Sequence, residues 1–195
     1  MTIVIFKDLK MRIMRYLYVF CLSALVGFTA CTTKQKNDNA QPAAEYADAE
    51  KSEPSADVKF PVYDFDGLEP LLNKDDNKTY IINFWATWCK PCIEEMPSFE
   101  KTYAEQQANG VELVLVSLDM PTMWKSRLEP FVEKKGLKGK VVILDDPKMN
   151  DWIPKVDENW GGGIPATLIY NKDKRVFFEH GFTYDELNEE LNKFL

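Results

Sequence analysis

The sequence predicts one α/β domain over residues 58–195, and three observations predict it. Two nearly continuous apolar runs, 80–85 and 111–118, are typical of strands that are covered on both faces. Between them, apolar residues recur at steps of three and four, as on one side of a helix: Ile93, Met96, Phe99 and Tyr103. The order strand, helix, strand is a βαβ unit, in which the two strands pair in parallel.

The first half of the domain contains two further expected elements and a signal for the end of the βαβ helix. Residues 60–65 are expected to form an early edge strand. The helix of the βαβ unit is expected to end at Asn109-Gly110, because glycine suits the position after a helix. Residues 121–135 predict a second helix, which Pro130 bends and Gly136 ends.

The second half is predicted as strand, hairpin and helix. Residues 141–144 form a short apolar run, and the runs 166–170 and 176–178 flank a polar turn, which indicates a hairpin. Thr183 is followed three residues later by a glutamate, the pattern of a capping box at the start of the last helix. Residues 145–163 carry no clear periodicity, so no element is predicted there.

The first thirty residues predict an export signal that precedes the fold. Basic residues lead into the apolar run 16–30, which ends in small residues. That run is short for a transmembrane helix, which needs roughly 20 apolar residues. The alternative is a buried helix of the domain, but the basic flank and the polar stretch that follows argue against it.

Residues 28–31, Phe-Thr-Ala-Cys, resemble the lipobox of bacterial lipoproteins. The resemblance implies that Cys31 is lipidated, becomes the mature N-terminus and holds the protein to a membrane outside the cytoplasm. The alternative is an ordinary cleaved signal in which Cys31 is incidental. Residues 31–57 are polar, with one aromatic residue, and are expected to form a flexible linker because they cannot bury enough apolar surface.

Composition excludes several classes of function. The net charge is −7, so the chain lacks the basic surface that nucleic-acid binding requires. One histidine and four cysteines leave too few ligands for a Cys/His zinc fold, and they exclude a disulfide-dense scaffold. No glycine-rich phosphate loop or metal cluster is visible, so no metal or other cofactor is expected.

Cys89 and Cys92 are the candidate reactive groups, placed where a strand ends and a helix begins. The free amides and the dipole of a helix N-terminus favour a thiolate. Cys89 precedes the helix and is expected to be the more exposed nucleophile, whereas Cys92 would be the resolving thiol. Three alternatives stay open: a zinc half-site, for which only His180 could add a ligand, a structural disulfide, which stabilises little across so small a loop, and an inactive remnant.

The segment 83–97, NFWATWCKPCIEEMP, resembles the active-site segment of the thioredoxin superfamily. In particular it resembles the TlpA/ResA branch of extracytoplasmic thiol–disulfide oxidoreductases, and the similarity extends over residues 58–195. The resemblance implies a thioredoxin-like fold with a central mixed β-sheet flanked by helices. It also implies an added N-terminal strand pair, which suits residues 58–72, and a mid-domain insertion, which suits residues 145–160.

The resemblance also implies that a carboxylate takes part in the chemistry of the cysteines. Thioredoxins keep a buried aspartate where this chain has Asn83, while the TlpA/ResA branch often has asparagine there and a carboxylate in the helix, matched by Glu95. Glu95 follows Cys92 by three residues and would share its helix face. A partly buried carboxylate there would have a raised pKa and could exchange a proton with a thiol. The alternative is a solvated Glu95, like its neighbour.

Three further residues are expected to contact substrate. Ile164-Pro165 matches the loop whose proline is cis and faces the cysteines, and the residue before that proline pairs its backbone with an extended substrate segment. The preceding residues, 160–163, depart from the tight loop of the family, which leaves their mobility open. Trp88 is expected to cover the disulfide at the surface, and Trp85 to lie in the core.

The predicted protein is a lipid-anchored, periplasm-facing monomer that reduces disulfides of exported proteins and is recharged by an upstream membrane dithiol donor. Cytochrome c maturation is one role that the resemblance suggests. Lys90-Pro91 between the cysteines differs from the Pro-His pair of strong oxidases and favours a reductase. The alternatives are an oxidase or isomerase of the same fold, a peroxide-linked redoxin, whose usual Thr-x-x-Cys signature is absent, and a non-catalytic binding lipoprotein.

Overall fold

A six-stranded mixed sheet forms the centre of residues 58–195, the part of the chain that the computed structural model describes. The strands are β1 Val62–Tyr63, β2 Thr79–Trp85, β3 Val111–Ser117, β4 Lys140–Leu144, β5 Ala166–Tyr170 and β6 Arg175–Phe178. The helices are α1 Phe65–Leu68, α2 Lys90–Gln106, α3 Glu129–Lys135, α4 Met149–Val156 and α5 Tyr184–Leu191. The predicted signal 1–30, Cys31 and the linker 31–57 lie outside the described residues.

The strand order is β1-β4-β3-β2-β5-β6. β2 pairs in parallel with β3, β3 with β4 and β4 with β1, whereas β5 is antiparallel to both β2 and β6. The βαβ unit and the hairpin are therefore confirmed, and the sheet is mixed as expected. The capping box of the last helix is confirmed as well, with Thr183 and Glu186 bonded reciprocally.

The alternation of side chains along β2 divides the core into two clusters, one on each face of the sheet. Ile81 and Trp85 belong to the cluster under α2 and α5, and Ile82 and Phe84 belong to the opposite cluster. All seven residues of β2 are buried, including Trp85, as expected for a central strand covered on both sides. Asn83 has the same parity as Ile81 and Trp85, so it faces α2.

The N-terminal part of the domain differs from expectation. The strand predicted at 60–65 is only the two residues of β1, and residues 58–72 form no strand pair in the described structure. The reason is local, because Asp64 caps a helix that starts at the next residue, its carboxylate accepting the N–H of Gly67 at 2.9 Å. α1 then buries two apolar side chains that a solvent-facing edge strand would leave half exposed: Phe65 and Leu68.

The single helix predicted at 121–135 is wrong in its first half. A 3₁₀ turn and a π-helical turn, Trp124–Leu128, precede α3, and Pro130 lies in the first turn of α3 instead of bending a longer helix. Proline lacks an N–H donor, so the first turn of a helix, where that donor would have no partner, tolerates it best. The helix ends at Gly136, as expected, with φ of 64°.

Residues 145–163, for which no element was predicted, contain α4. Trp152 of α4 and the following Trp160 are both buried, and they pack edge to face with ring centroids 5.6 Å apart. Trp160 also contacts Phe84 of the central strand, so this segment covers the sheet face opposite α2. Between residues 58 and 195, no helix has the length and apolarity needed to cross a bilayer.

Candidate active site

The two cysteines lie at the junction between β2 and α2. Cys89 is the N-cap of α2, in extended backbone conformation, and its Sγ accepts the N–H of Cys92 at 3.3 Å. Pro91 fits the first turn because its missing donor would have had no helical partner. Cys89 and Cys92 are joined as a disulfide, with Cα atoms 5.3 Å apart. Cys89 is 5% exposed and Cys92 fully buried, so Cys89 is the more accessible sulfur, as predicted.

The residues expected to contact substrate surround Cys89. The Ile164-Pro165 peptide is cis, and the carbonyl oxygen of Ile164 lies 3.7 Å from the Sγ of Cys89. The pairing of β5 with β2 brings this loop to the cysteines, since β5 begins at the residue after Pro165. Trp88 is 53% exposed. It borders a groove of about 370 Å³ together with Ile164 and, among others, Leu144, Met120, Met149 and Trp152.

Glu95 is buried beside the cysteines, so the solvated alternative is wrong. Its side chain is 4% exposed, and its carboxylate accepts two hydrogen bonds of 2.9 Å, from the Asn83 amide and from the N–H of Phe182. Burial raises the pKa of Glu95 to about 7, even though both hydrogen bonds favour the charged form. The Asn83 amide also donates to the hydroxyl of Thr167 at 3.1 Å, which ties Glu95 to β5.

The connection from β6 to α5 holds Glu95 in place, a role that no motif in the sequence indicates. Besides the N–H of Phe182, Gly181 lies against both Glu95 and the cis proline: a Cβ there would be 3.4 Å from Glu95 Oε2 and 3.6 Å from Pro165 Cγ. His180 is exposed, and its ring packs on that of Phe182 with centroids 4.7 Å apart. No local pattern indicates these contacts, because they join positions 87 residues apart.

Asp119 supports the turn before Cys89 and was also missed. It is 2% exposed, and its carboxylate accepts the N–H of Thr87 at 3.0 Å and the hydroxyls of Thr87 at 2.6 Å and Ser117 at 2.9 Å. One signal could have found it, since it directly follows the apolar run 111–118. Polar residues at the carboxyl ends of parallel strands often border a site.

Asp119→Asn is expected to destabilise the oxidised protein by about 2 kcal/mol, because an amide cannot accept from every donor that the carboxylate satisfies and leaves one buried donor unpaired. Urea unfolding measures the change. Asp75→Asn, at an exposed aspartate, is the matched control and should leave the free energy of unfolding unchanged. A loss below about 0.5 kcal/mol for Asp119→Asn would show that the carboxylate does not hold this turn.

The reactive groups of the site are therefore two sulfurs and one carboxylate. Within residues 58–195, no three His, Cys, Asp or Glu side chains are grouped so that they could hold a metal ion. The sulfur pair supports two-electron exchange with another disulfide. Glu95 supports proton transfer near neutral pH, because its pKa is raised to about 7.

Known proteins resemble this chain in sequence and in fold. Residues 54–178 match the family model described as the AhpC/TSA family. Thiol-disulfide oxidoreductase ResA of Geobacillus thermodenitrificans is 35% identical over 118 residues, which cover 60% of this chain and 62% of that relative. The protein of the same name from Bacillus thuringiensis is 30% identical over 164 residues, 83% of each chain.

Among solved structures, a thioredoxin-related protein from Neisseria meningitidis serogroup B superposes with a TM-score of 0.52. It is 22% identical, and the match covers 63% of this chain and 87% of that chain. The thioredoxin-like fold expected from residues 83–97 is thereby confirmed.

Proposed function

We propose, from the premise that this chain belongs to the AhpC/TSA family and is a thiol–disulfide oxidoreductase of the ResA type, that it reduces disulfides in exported proteins. One observation carries the proposal, the unequal placement of the two cysteines. Cys89 is the N-cap of α2, next to Trp88 in the chain and in contact with the Ile164 carbonyl, whereas Cys92 is fully buried. This arrangement presents one sulfur to a substrate and reserves the other for the second step.

In the first step the thiolate of Cys89 attacks one sulfur of the substrate disulfide. A mixed disulfide forms, the substrate S–S bond breaks, and the departing substrate sulfur takes a proton from solvent. The N–H of Cys92 and the N-terminus of α2 stabilise the attacking thiolate, which raises its fraction at neutral pH.

In the second step Cys92 loses its proton and attacks the Sγ of Cys89, which releases the second substrate thiol. Glu95 is the group that we propose to accept the proton of Cys92, since it shares the helix face three residues away. With a pKa near 7 it can both take and return a proton at neutral pH. In total, two electrons and two protons pass to the substrate, and the cysteine pair becomes a disulfide.

Substrate contact is proposed for Trp88, Ile164 and Pro165. The backbone of Ile164 is adjacent to Cys89, so a substrate segment laid along it would bring its own sulfur within reach of the nucleophile. The groove beside Trp88 is lined mainly by apolar side chains, and Met120 in its wall is 60% exposed. An apolar residue next to the substrate cysteine suits that groove.

The surroundings of the cysteines favour reduction over oxidation. A strong oxidase stabilises its reduced form, often through a cation near the thiolate. Here the exposed ammonium of Lys90 pairs with Glu94 at 3.5 Å, and the buried ionisable group on the helix of Cys92 is the acidic Glu95. The Thr87 hydroxyl donates to Asp119, so it is committed there instead of to a peroxide at Cys89.

The location and partners are also part of the proposal. The lipobox-like sequence before Cys31 supports export and lipid anchoring, with residues 31–57 as a linker to the domain. A reductase in an oxidising compartment needs an upstream membrane dithiol donor to recharge it. Cytochrome c maturation is one pathway that such a reductase would serve, and we propose that the protein acts as a monomer.

The midpoint potential of the Cys89–Cys92 couple tests the direction of electron flow. We expect a value at or below about −220 mV, nearer to thioredoxin at about −270 mV than to DsbA at about −120 mV. Equilibration with dithiothreitol or glutathione buffers measures it, and insulin reduction shows activity on a protein disulfide. A value near −120 mV would indicate an oxidase or isomerase, and the lack of any reversible couple would favour a non-catalytic binding lipoprotein.

A further inference from the structure

Three consecutive glycines, Gly161 to Gly163, immediately precede the substrate-facing Ile164. Glycine loses more backbone freedom on folding than any other residue, so such a run favours a mobile loop. A mobile loop would be unsuited to a residue whose backbone must pair with an incoming segment, because ordering even one residue on binding weakens affinity by about tenfold.

The side chain of Glu179, the first residue after β6, restrains this loop. Its Oε2 accepts the N–H of Gly161 at 2.9 Å, and its Oε1 accepts the N–H of Gly163 at 2.8 Å. The indole N–H of the buried Trp160 donates to the carbonyl of Gly163 at 2.8 Å. Three hydrogen bonds thus fix the loop from both sides.

Contact with Glu179 also accounts for the glycines. A Cβ at Gly163 would lie 2.7 Å from Glu179 Oε1, and one at Gly161 would lie 3.2 Å from the same atom. Gly162 between them has φ of +87°, a backbone conformation that residues other than glycine rarely adopt. Glycine is therefore required at 161 and 163 because the Glu179 carboxylate approaches closely, and at 162 because of its positive φ.

We propose that Glu179 is a positioning residue that holds loop 160–163 so that the backbone of Ile164 is presented in a fixed orientation to protein substrates. This inference rests on the proposed function, since it assigns to Glu179 the substrate-pairing geometry of that reaction. Glu179 touches neither sulfur in the described structure, so it acts through the loop. It should influence the binding of an extended polypeptide and leave the chemistry of the sulfurs unchanged.

Glu179→Gln tests the proposal, with Glu158→Gln, at an exposed glutamate, as the matched control. An amide can accept from one glycine N–H but directs its own donor at the other. We expect the KM for insulin to rise about tenfold in Glu179→Gln with kcat little changed. The rate with a small aromatic disulfide and the midpoint potential should stay as in the wild type. An unchanged KM for insulin would overturn the proposal.

A second set of variants tests whether Glu179 acts on the loop by direct contact. Gly163→Ala introduces the Cβ that collides with Glu179 and should raise the KM for insulin as well. Adding Glu179→Ala removes the collision, so the double variant should be less impaired than the sum of the two single changes. Strict additivity would contradict direct contact between the carboxylate and the loop.

The outcome can be distinguished from failure of the proposed function. If the wild type reacts with the aromatic disulfide but does not reduce insulin, the proposed function is wrong. Hydrogen exchange at the amides of Gly161 and Gly163 then still tests the restraint. Exchange that is faster in Glu179→Gln than in the wild type and Glu158→Gln supports the restraint of the loop by Glu179. Equal exchange in these three proteins overturns it.

Discussion

Replacement of Cys89 by serine is expected to abolish reduction of protein disulfides, with a loss of roughly a thousandfold or more, because a hydroxyl provides no thiolate at neutral pH. Cys89, at 5% exposed, is the more accessible of the two cysteines, and the fully buried Cys92 is not expected to replace it as the attacking group. Insulin reduction with dithiothreitol as the electron source, corrected for the uncatalysed rate, measures the loss.

Cys92→Ser is the matched variant and should behave differently. It keeps the nucleophile but lacks the thiol that resolves the intermediate, so it should accumulate a mixed disulfide between Cys89 and the substrate. Mass spectrometry after mixing with an oxidised substrate detects that adduct. If the adduct formed with Cys89→Ser and not with Cys92→Ser, the two roles would be reversed.

Glu95→Gln is expected to change the pH dependence of stability. The pKa of Glu95 is raised by burial from its ordinary value of 4.5 to about 7, so between these values the folded protein binds a proton that the unfolded chain does not. The stabilisation from this group is complete below pH 4.5 and is lost as the pH rises through 7. The shift corresponds to about 3 kcal/mol, and Glu95→Gln lacks this titration.

Urea unfolding of the oxidised proteins between about pH 4 and about pH 8 measures this effect. The free energy of unfolding of the wild type should fall across this window relative to that of Glu95→Gln. Glu94→Gln, at the neighbouring exposed glutamate, should follow the wild type. Parallel curves for all three proteins would mean that Glu95 titrates as an ordinary surface carboxylate.

The same substitution should slow the second chemical step. Without a proton acceptor beside Cys92, cleavage of the mixed disulfide by Cys92 is expected to slow by about a hundredfold at neutral pH. The rate of that step should also lose its inflection near pH 7, where Glu95 titrates in the wild type. Stopped-flow measurement of substrate release at several pH values checks this, and an unaltered profile would assign proton transfer to solvent.

The parts of the site that lie close together in sequence could be predicted from it. The spacing of Cys89 and Cys92, the strand before them and the helix after them are local, so periodicity and end signals indicate them. The position of Glu95 on the face of Cys92 follows from the helical repeat. Its burial does not, because the N–H of Phe182 that contacts it comes from a different element.

The contacts that could not be predicted are those made across the fold. Glu179 and the glycine loop are separated by up to 18 residues and joined only by hydrogen bonds to backbone N–H groups, which have no side-chain signature. The contact between Asp119 and Thr87 joins positions 32 residues apart, and the sequence hints at it only through the place of Asp119 directly after the apolar run 111–118. In the helix predicted at 121–135, a π-helical turn changes the hydrogen-bond pattern without changing the composition, so the sequence does not indicate it.

The amide of Asn83 can form a hydrogen bond with Glu95 whether the Glu95 carboxyl group is charged or protonated. Its Oδ1 is buried without a hydrogen-bond partner, while its NH₂ group serves both Glu95 and Thr167. An amide carries a donor and an acceptor on one rotatable group. A half-turn of the amide can therefore direct Oδ1 at Glu95 once that carboxyl is protonated, and the Thr167 hydroxyl can donate as readily as it accepts. A carboxylate at this position would offer acceptors alone and would compete with Glu95 for the proton. Rotation about this one torsion of Asn83 would therefore change the group that faces Glu95 from a donor to an acceptor.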